Sequence, residues 1–357
     1  MDVPTYSLAE RDRRWALARE LMAAEEVEAL VCYGEHEYVE AAPFAAGIAE
    51  VLREHHLEHA AVGVLGLDIV ALWHLNPITP YMLSRKVLDE LPGVTFKPVG
   101  RRFMLATICL SQEEQAAVRY SAAAGDHMAQ AMLEAAAPGA SEADVCAAGM
   151  AAGFRLGCQP PSMLIWSGPG FVAWGPPAWG YRPRPPRTLA EGDLLLAEVF
   201  NRFGMKETQH QMAIAIGDVH PDIEAAAAIA RASHDEGLKA ARAGNTFGDL
   251  VQAMTAPLTD ARSWNIHPLV QALNPFGPVG GFGGPGGLDQ LPEARRYGRL
   301  FELPTVGAEL PLALGMSWAF EPSAVVGGRA VNLGGTVIIG EDGPIELNPL
   351  TAQLLHA

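Results

Sequence analysis

The sequence has 357 residues, of which 49% are hydrophobic and 18% are charged, and its formal net charge is -16. This balance is typical of a globular protein, and the length allows two domains. The acidic charge, together with the lack of any run of Lys and Arg, argues against nucleic acid or an anionic membrane as a partner. No apolar stretch reaches about 18 residues, so we expect no membrane span.

The four cysteines, Cys32, Cys109, Cys146 and Cys158, show neither CxxC nor CxxH spacing. Neither a zinc site nor a disulfide framework is therefore indicated. The N-terminus lacks a basic region followed by an apolar core, so the sequence predicts no export signal. We expect a cytoplasmic protein with reduced thiols.

The first third of the chain alternates between helical and strand patterns. Helices are predicted at residues 7–26, 44–53 and 80–91, and strands at 27–33, 60–67 and 94–99. This alternation predicts a small α/β domain over residues 1–108, with the remaining residues 109–357 as a second domain.

The second domain contains an internal echo. Ser141 and Asp144 form a helix-capping pattern after one alanine-rich helix, and Thr246 and Asp249 repeat it at the same offset after another. Two ordinary capped helices are the alternative, because such caps are common. The order of elements around both copies instead predicts two pseudo-repeated α-α-β-β halves, packed face to face with a cleft between them.

Residues 192–217 predict a hairpin, with a turn at 202–204 and a second strand at 209–216. Its first strand carries Glu198 in an apolar run, and Glu321 has the same setting in a later strand. A buried carboxylate costs several kcal/mol unless something pairs with it, so both acids need an explanation. We expect Glu198 and Glu321 to line one site.

Four local motifs support a family resemblance. They are Ser167-Gly-Pro-Gly170, Leu189-Ala-Glu-Gly-Asp193 with its following leucines, Asn274-Pro-Phe-Gly277, and Leu314-Gly-Met-Ser-Trp-Ala-Phe-Glu321-Pro322. The chain resembles the pita-bread family of methionine aminopeptidase, aminopeptidase P, prolidase and creatinase. The resemblance implies a mixed α/β (α+β) protein, in which a creatinase-type N-terminal domain precedes a catalytic-type pita-bread domain.

Metal-dependent relatives bind two ions through two aspartates, a histidine and two glutamates, because divalent cations need several anionic ligands. The resemblance places these five positions at Ala197 or Glu198, Thr208 or Gln209, Asn274, Glu321, and Leu333 or Gly334. At most two carboxylates remain, so we expect no dinuclear metal centre and no cofactor. A lone ion on Glu198, Glu321 and His210 is the alternative.

Creatinase implies that the fold can hydrolyse a C–N bond without metal. By residue type, His210 is the candidate for proton transfer, since its unperturbed pKa lies near neutrality. The expected catalytic residues are therefore Glu321, His210 and Glu198. A structurally bonded hairpin histidine and a turn carboxylate before Pro322 are the alternative interpretations of His210 and Glu321.

Aromatic and amide side chains near these acids predict the substrate-binding residues. These are Gln209, Asn274, Trp174, Trp318 and Phe276. Tryptophans beside acids suit a cationic or a flat aromatic ligand, although core packing is the usual role of a single Trp.

Three functions remain open from sequence. The first is a metal-independent hydrolase acting on an amide or amidine C–N bond of a small molecule. The second is a metal-free lyase or isomerase, and the third is a catalytically silent ligand-binding homologue of Xaa-Pro peptidases. The resemblance also implies a homodimer.

Overall fold

The computed structural model describes residues 2–32, 41–68, 78–173, 175–265, 268–283 and 304–357. The chain divides into two compact units, Tyr6–Ile108 and Met1–Thr5 with Cys109–Ala357. No helix among these described residues is long and apolar enough to cross a membrane.

The smaller unit contains a three-stranded parallel sheet, in the order β1-β2-β3, flanked by helices. Its elements are α1 (Leu8–Ala24), β1 (Ala29–Val31), α2 (Ala41–Glu54), β2 (Ala61–Val64), α3 (Tyr81–Glu90), β3 (Thr95–Pro98) and α4 (Gly100–Ala106). Ser7 caps α1 by accepting a hydrogen bond from the backbone N–H of Glu10. The strands and helices follow the predicted alternation, but α4 was not predicted.

Helices of the larger unit come in two consecutive pairs. They are α5 (Gln112–Ala135) with α6 (Glu142–Arg155), and α8 (Pro221–Ala240) with α9 (Phe247–Asp260), while the short α7 (Ala178–Tyr181) lies between the pairs. The second helix of each pair begins with the predicted capping box, Ser141 with Asp144 and Thr246 with Asp249. Each box satisfies two N-terminal groups, and their identical chemistry is what a duplicated α-α unit would retain.

The strands of the larger unit form two main sheets. They are β4 (Met163–Gly168), β5 (Leu194–Phe203), β6 (Lys206–Ala215), β7 (Val270–Leu273), β8 (Gly280–Gly281), β9 (Ser317–Phe320), β10 (Ser323–Val326), β11 (Arg329–Asn332), β12 (Gly335–Gly340), β13 (Gly343–Glu346) and β14 (Leu355–His356). One sheet has the order β14-β6-β5-β4, the other has the order β13-β12-β9-β7-β8, and β10 pairs with β11. The described elements thus form the predicted α-α-β-β halves.

The central hairpin β5–β6 is longer than predicted and turns later. Gly204 and Met205 both have positive φ, 55° and 62°, and form the connection between Phe203 and Lys206. Positive φ at both turn residues matches the right-handed twist of the flanking strands. Glu198 therefore lies in the middle of a regular antiparallel ladder, opposite Gln211.

Strand β6 joins the first half of the unit to the second. Gln211 donates its backbone N–H to the carbonyl of Gly334 over 3.3 Å, and the hydroxyl of Thr336 bonds the backbone N–H of Gln209 at 3.1 Å. Phe320 pairs with Gly335, so Glu321 follows directly beside Gly334. These contacts carry Glu198 and Glu321 toward each other from separate halves.

Candidate functional site

The two sides of the β5–β6 hairpin have different neighbours. The hydroxyl of Thr208 lies 3.0 Å from that of Ser121 on α5, and Met212 packs into the core with Met128 of the same helix. Because successive strand residues alternate between faces, Gln209 and Gln211 point to the side away from α5. Glu198 shares that inner side, since it is directly opposite Gln211.

The second half has an equivalent inner side. Trp318 stacks on Phe247 of α9, and Phe320 meets the ring of His234 on α8 edge-on. Glu321, the next residue after Phe320, therefore turns away from the helices. Each half thus has one buried glutamate that faces inward.

Each of the two glutamates accepts a hydrogen bond from a glutamine. Gln211 Nε2 donates to Glu198 Oε1 at 3.1 Å, and Gln271 Nε2 donates to Glu321 Oε1 at 2.7 Å. Glu198 is 5% exposed and Glu321 is 1% exposed. The site is therefore a pair of buried carboxyl groups held by neutral amides.

Burial raises the pKa of Glu321 well above its ordinary value. The nearby charge of Glu198 raises that pKa further, while the hydrogen bond from Gln271 lowers it. Because a like charge raises the pKa of a carboxyl group, this interaction and the inward position of both side chains support a shared site. That Glu198 and Glu321 line one site stays a prediction, which their shared inward direction supports.

His210 lies on the opposite side of the hairpin. Its Nε2 is 3.2 Å from the carbonyl oxygen of Ala122 and 3.6 Å from Asp126 Oδ1, both on α5, and the ring is fully buried against Gly125. The prediction that His210 shares a site with the glutamates is wrong. His210 lies between the inward-facing Gln209 and Gln211, so strand alternation turns its side chain toward α5. Burial lowers the pKa of this imidazole.

Two of the three aromatic residues that were predicted to bind substrate lie within the described part of the chain. Trp318 is a core residue stacked on Phe247 at a centroid distance of 4.9 Å, so its predicted place in the pocket is wrong. Phe276 is half-buried in the turn that follows β7. Trp174 lies outside the described residues.

Asn274 fastens the tip of the hairpin to the end of β7. Its Oδ1 accepts from the backbone N–H of Glu207 at 2.8 Å, and its Nδ2 donates to the carbonyl of Glu207 at 2.9 Å. Nδ2 also lies 3.3 Å from the hydroxyl of Ser317. The amide is thus used for structure, and its bonds do not support the predicted contact with substrate.

Sequence reasoning missed three amides in or beside the site. Gln211 and Gln271 hold the glutamates, and Asn332 is on β11, whose Arg329 turns toward Asp222 of α8. An odd separation from Arg329 places Asn332 on the inner side of that strand. The available signals were the spacing of Gln211, two residues after Gln209 on one strand, and the single amides of Gln271 and Asn332 in their short strands.

The residues at the family's metal-ligand positions do not fit a pair of divalent ions. Glu198 and Gln209 face inward, whereas Ala197 and Thr208 face α5, so the inward pair occupies the two aspartate positions. The histidine position, Asn274, is bonded to the hairpin backbone. Two carboxyl groups, one of which has a raised pKa, supply too little negative charge for two hard cations.

At the last metal-ligand position, Gly334 has no side chain to bind a metal, and its backbone conformation disfavours any residue that has one. Its φ is 137°, which residues other than glycine rarely adopt. A Cβ atom at this position would lie 2.0 Å from the carbonyl oxygen of Phe320. A glutamate at Gly334 would therefore need the backbone to move. Among the residues that the structure describes, no three His, Cys, Asp or Glu side chains are grouped to hold a metal ion.

Similar folds occur in solved dipeptidases. Dipeptidase PepE from Mycobacterium ulcerans superposes with a TM-score of 0.70 at 17% identity, covering 98% of this chain and 99% of that one. Xaa-Pro dipeptidase from Bacillus anthracis gives a TM-score of 0.70 at 13% identity, covering 97% and 99%. Prolidase from Pyrococcus furiosus gives 0.61 at 17% identity, covering 84% and 78%. At these identities the likeness shows the fold.

A search of curated proteins found no match to this sequence. The model of metallopeptidase family M24, in contrast, matches residues 116–341, which is more than half of the chain. That span contains both inward-facing glutamates, the second helix pair, and the first helix pair except for the first four residues of α5. The chain therefore belongs to metallopeptidase family M24, as a member whose metal-ligand positions are mostly neutral.

Proposed function

We propose that this chain is a metal-independent hydrolase that cleaves an amide or amidine C–N bond in a small molecule. The observation that carries the proposal is the effect of the Glu198 charge on the pKa of Glu321, since the two residues come one from each half of the pita-bread unit. The family supports a hydrolase fold. Cleavage without metal then needs an acid and a base from the chain itself.

The two carboxyl groups have the environments that such a division of work requires. Glu321, whose pKa burial raises, is the carboxyl group that holds its proton to higher pH, and it acts as the general acid. Glu198 acts as the general base. It takes a proton from water, the water oxygen bonds to the carbon, the C–N bond breaks, and Glu321 protonates the leaving nitrogen. Transfer of the proton from Glu198 to Glu321 restores the starting state.

Kinetics on three variants test this division. Turnover of small amides and amidines is followed by amine or ammonia release, with a chelator present throughout. We expect Glu321→Gln and Glu198→Gln each to lose about 100-fold or more in kcat, the usual contribution of general acid or base catalysis. Glu134→Gln is the matched control, because Glu134 is exposed on α5.

Two outcomes would contradict the proposal. One is full turnover in Glu321→Gln. The other is activity that appears only with added divalent ions and disappears with the chelator.

The proposal extends to a cytoplasmic homodimer. All four cysteines are free thiols in the structure, which suits a reducing compartment. Light scattering of purified protein gives the mass of the assembly in solution, and a mass equal to one chain would contradict the homodimer.

A further inference from the structure

The inward-facing strands carry buried amide atoms that have no hydrogen-bond partner. They are Gln209 Oε1, Gln211 Oε1, and both Oδ1 and Nδ2 of Asn332. Gln209 and Gln211 are fully buried, and Asn332 is 2% exposed. A buried donor or acceptor left without a hydrogen bond costs about 1–3 kcal/mol. A group of such atoms therefore marks a place where a bound molecule can supply the missing bonds.

These atoms belong to one neighbourhood. Gln209 and Gln211 are two residues apart on β6 and share its inner face. Gln211 bridges to Gly334, which follows Asn332 by two residues. The amide of Gln211 also bonds Glu198, so the open oxygen of Gln211 lies beside that carboxyl group.

The open positions have a definite hydrogen-bonding character. Three of them, on Gln209, Gln211 and Asn332, are amide oxygens that only accept, and the fourth, Asn332 Nδ2, only donates. A matching ligand must therefore offer several N–H donors together with at least one acceptor. An ammonium or guanidinium group has donors alone and would leave Asn332 Nδ2 unmatched.

We propose that this cluster of buried amides recognises a neutral ureido or primary carboxamide group, with its N–H donors on Gln209 and Gln211 and its carbonyl oxygen on Asn332. The inference rests on the proposed function in one respect, that the bound group contains the C–N bond to be cleaved. It deepens that function by naming an uncharged, amide-like head group in place of a cation.

Methylurea and methylguanidinium are the probes, because they have the same shape and differ in one carbonyl oxygen against one NH₂⁺ group. Dissociation constants for both are measured by ligand-observed NMR titration of the intact chain. We expect methylurea to bind at least about tenfold more tightly, the difference that one unmatched buried polar group produces.

Two pocket variants and one control locate the preference. Asn332→Leu, which removes the only donor among the four open atoms together with an acceptor, should weaken methylurea about tenfold and methylguanidinium less, while Gln209→Met, which removes an acceptor alone, should weaken both. Asn201→Leu is the matched control. Asn201 is a fully buried amide on β5 with an unpartnered oxygen, but it bonds Ser121 on the helix side, so both affinities should be kept.

Equal or tighter binding of methylguanidinium, no binding of methylurea, or an unchanged preference in both pocket variants would overturn the inference. Should Asn332→Leu fail to fold, Gln209→Met decides alone. Binding of methylurea without release of ammonia or amine supports the inference and contradicts the proposed hydrolysis. Turnover of another C–N compound without a preference for methylurea contradicts the inference alone.

Discussion

Glu198 and Glu321 come from different halves of the pita-bread unit, and the charge of Glu198 helps to raise the pKa of Glu321. Backbone pairing brings the two residues toward each other. Gln211, opposite Glu198, bridges to Gly334, and Gly334 lies beside Glu321. Because Gly334 has no side chain, nothing from that position neutralises or separates the two carboxyl groups.

Glu321 should make the stability of the protein fall as pH rises. Its folded-state pKa is raised above the ordinary 4.5, so the folded state holds a proton that the unfolded state has lost. The free energy of unfolding then decreases with pH from about 5 upward, until the folded-state carboxyl ionises. Urea unfolding of the wild type and of Glu321→Gln at several pH values measures this contribution.

We expect Glu321→Gln to gain stability relative to the wild type as pH increases above about 5, because its amide keeps the bond to Gln271 without a titrating proton. Glu134→Gln should track the wild type. A difference between wild type and Glu321→Gln that is constant with pH would contradict the raised pKa.

Gly125 and His210 should be coupled. A Cβ at Gly125 would lie 2.0 Å from Cε1 of the fully buried His210 ring, so Gly125→Ala should cost about 1–3 kcal/mol of unfolding free energy. In a His210→Ala background the same change should cost little or stabilise α5, since Ala is a better helix former than Gly by about 1 kcal/mol. A double-mutant cycle by urea unfolding measures the difference.

The same variants test the role of His210 in catalysis. His210→Ala should lower stability and keep most of kcat, because the ring contacts α5 and lies on the far side of the sheet from the glutamates. A loss of kcat as large as that of Glu321→Gln, with the protein still folded, would contradict this placement.

Asn274→His tests whether the family's metal histidine can simply be restored. The change removes both hydrogen bonds to the backbone of Glu207, so we expect a loss of about 1–3 kcal/mol in unfolding free energy and no new affinity for Mn²⁺ or Zn²⁺. Asn274→Asp keeps the acceptor for the N–H of Glu207 and should lose less. Tight metal binding by Asn274→His would show that the remaining ligand set is sufficient.

Sequence patterns predicted the architecture because helix-capping boxes and the alternation of a hairpin depend on residues that are close together in the chain. The pairs Ser141 with Asp144 and Thr246 with Asp249 predicted two matching helix starts, and both are present. The burial of Glu198 and Glu321 was also visible in apolar strand runs.

Site details depended on which face each strand residue presents, and one residue of register reverses that face. This is why His210 and Trp318 were assigned to the pocket although they pack on helices. Gln271 and Asn332 escaped notice because their partners or neighbours come from distant strands. Gln271 and Glu321 are 50 residues apart along the chain, and nothing in the sequence near Gln271 indicates that the two side chains form a hydrogen bond.

Metal content measures the central claim most directly. Protein purified from cells grown with added manganese, zinc and iron is analysed by inductively coupled plasma mass spectrometry after extensive dialysis without chelator. Because two amide-held carboxyl groups supply too little charge, the account predicts substoichiometric divalent metal and activity that survives chelation. Two tightly held ions per chain would contradict it.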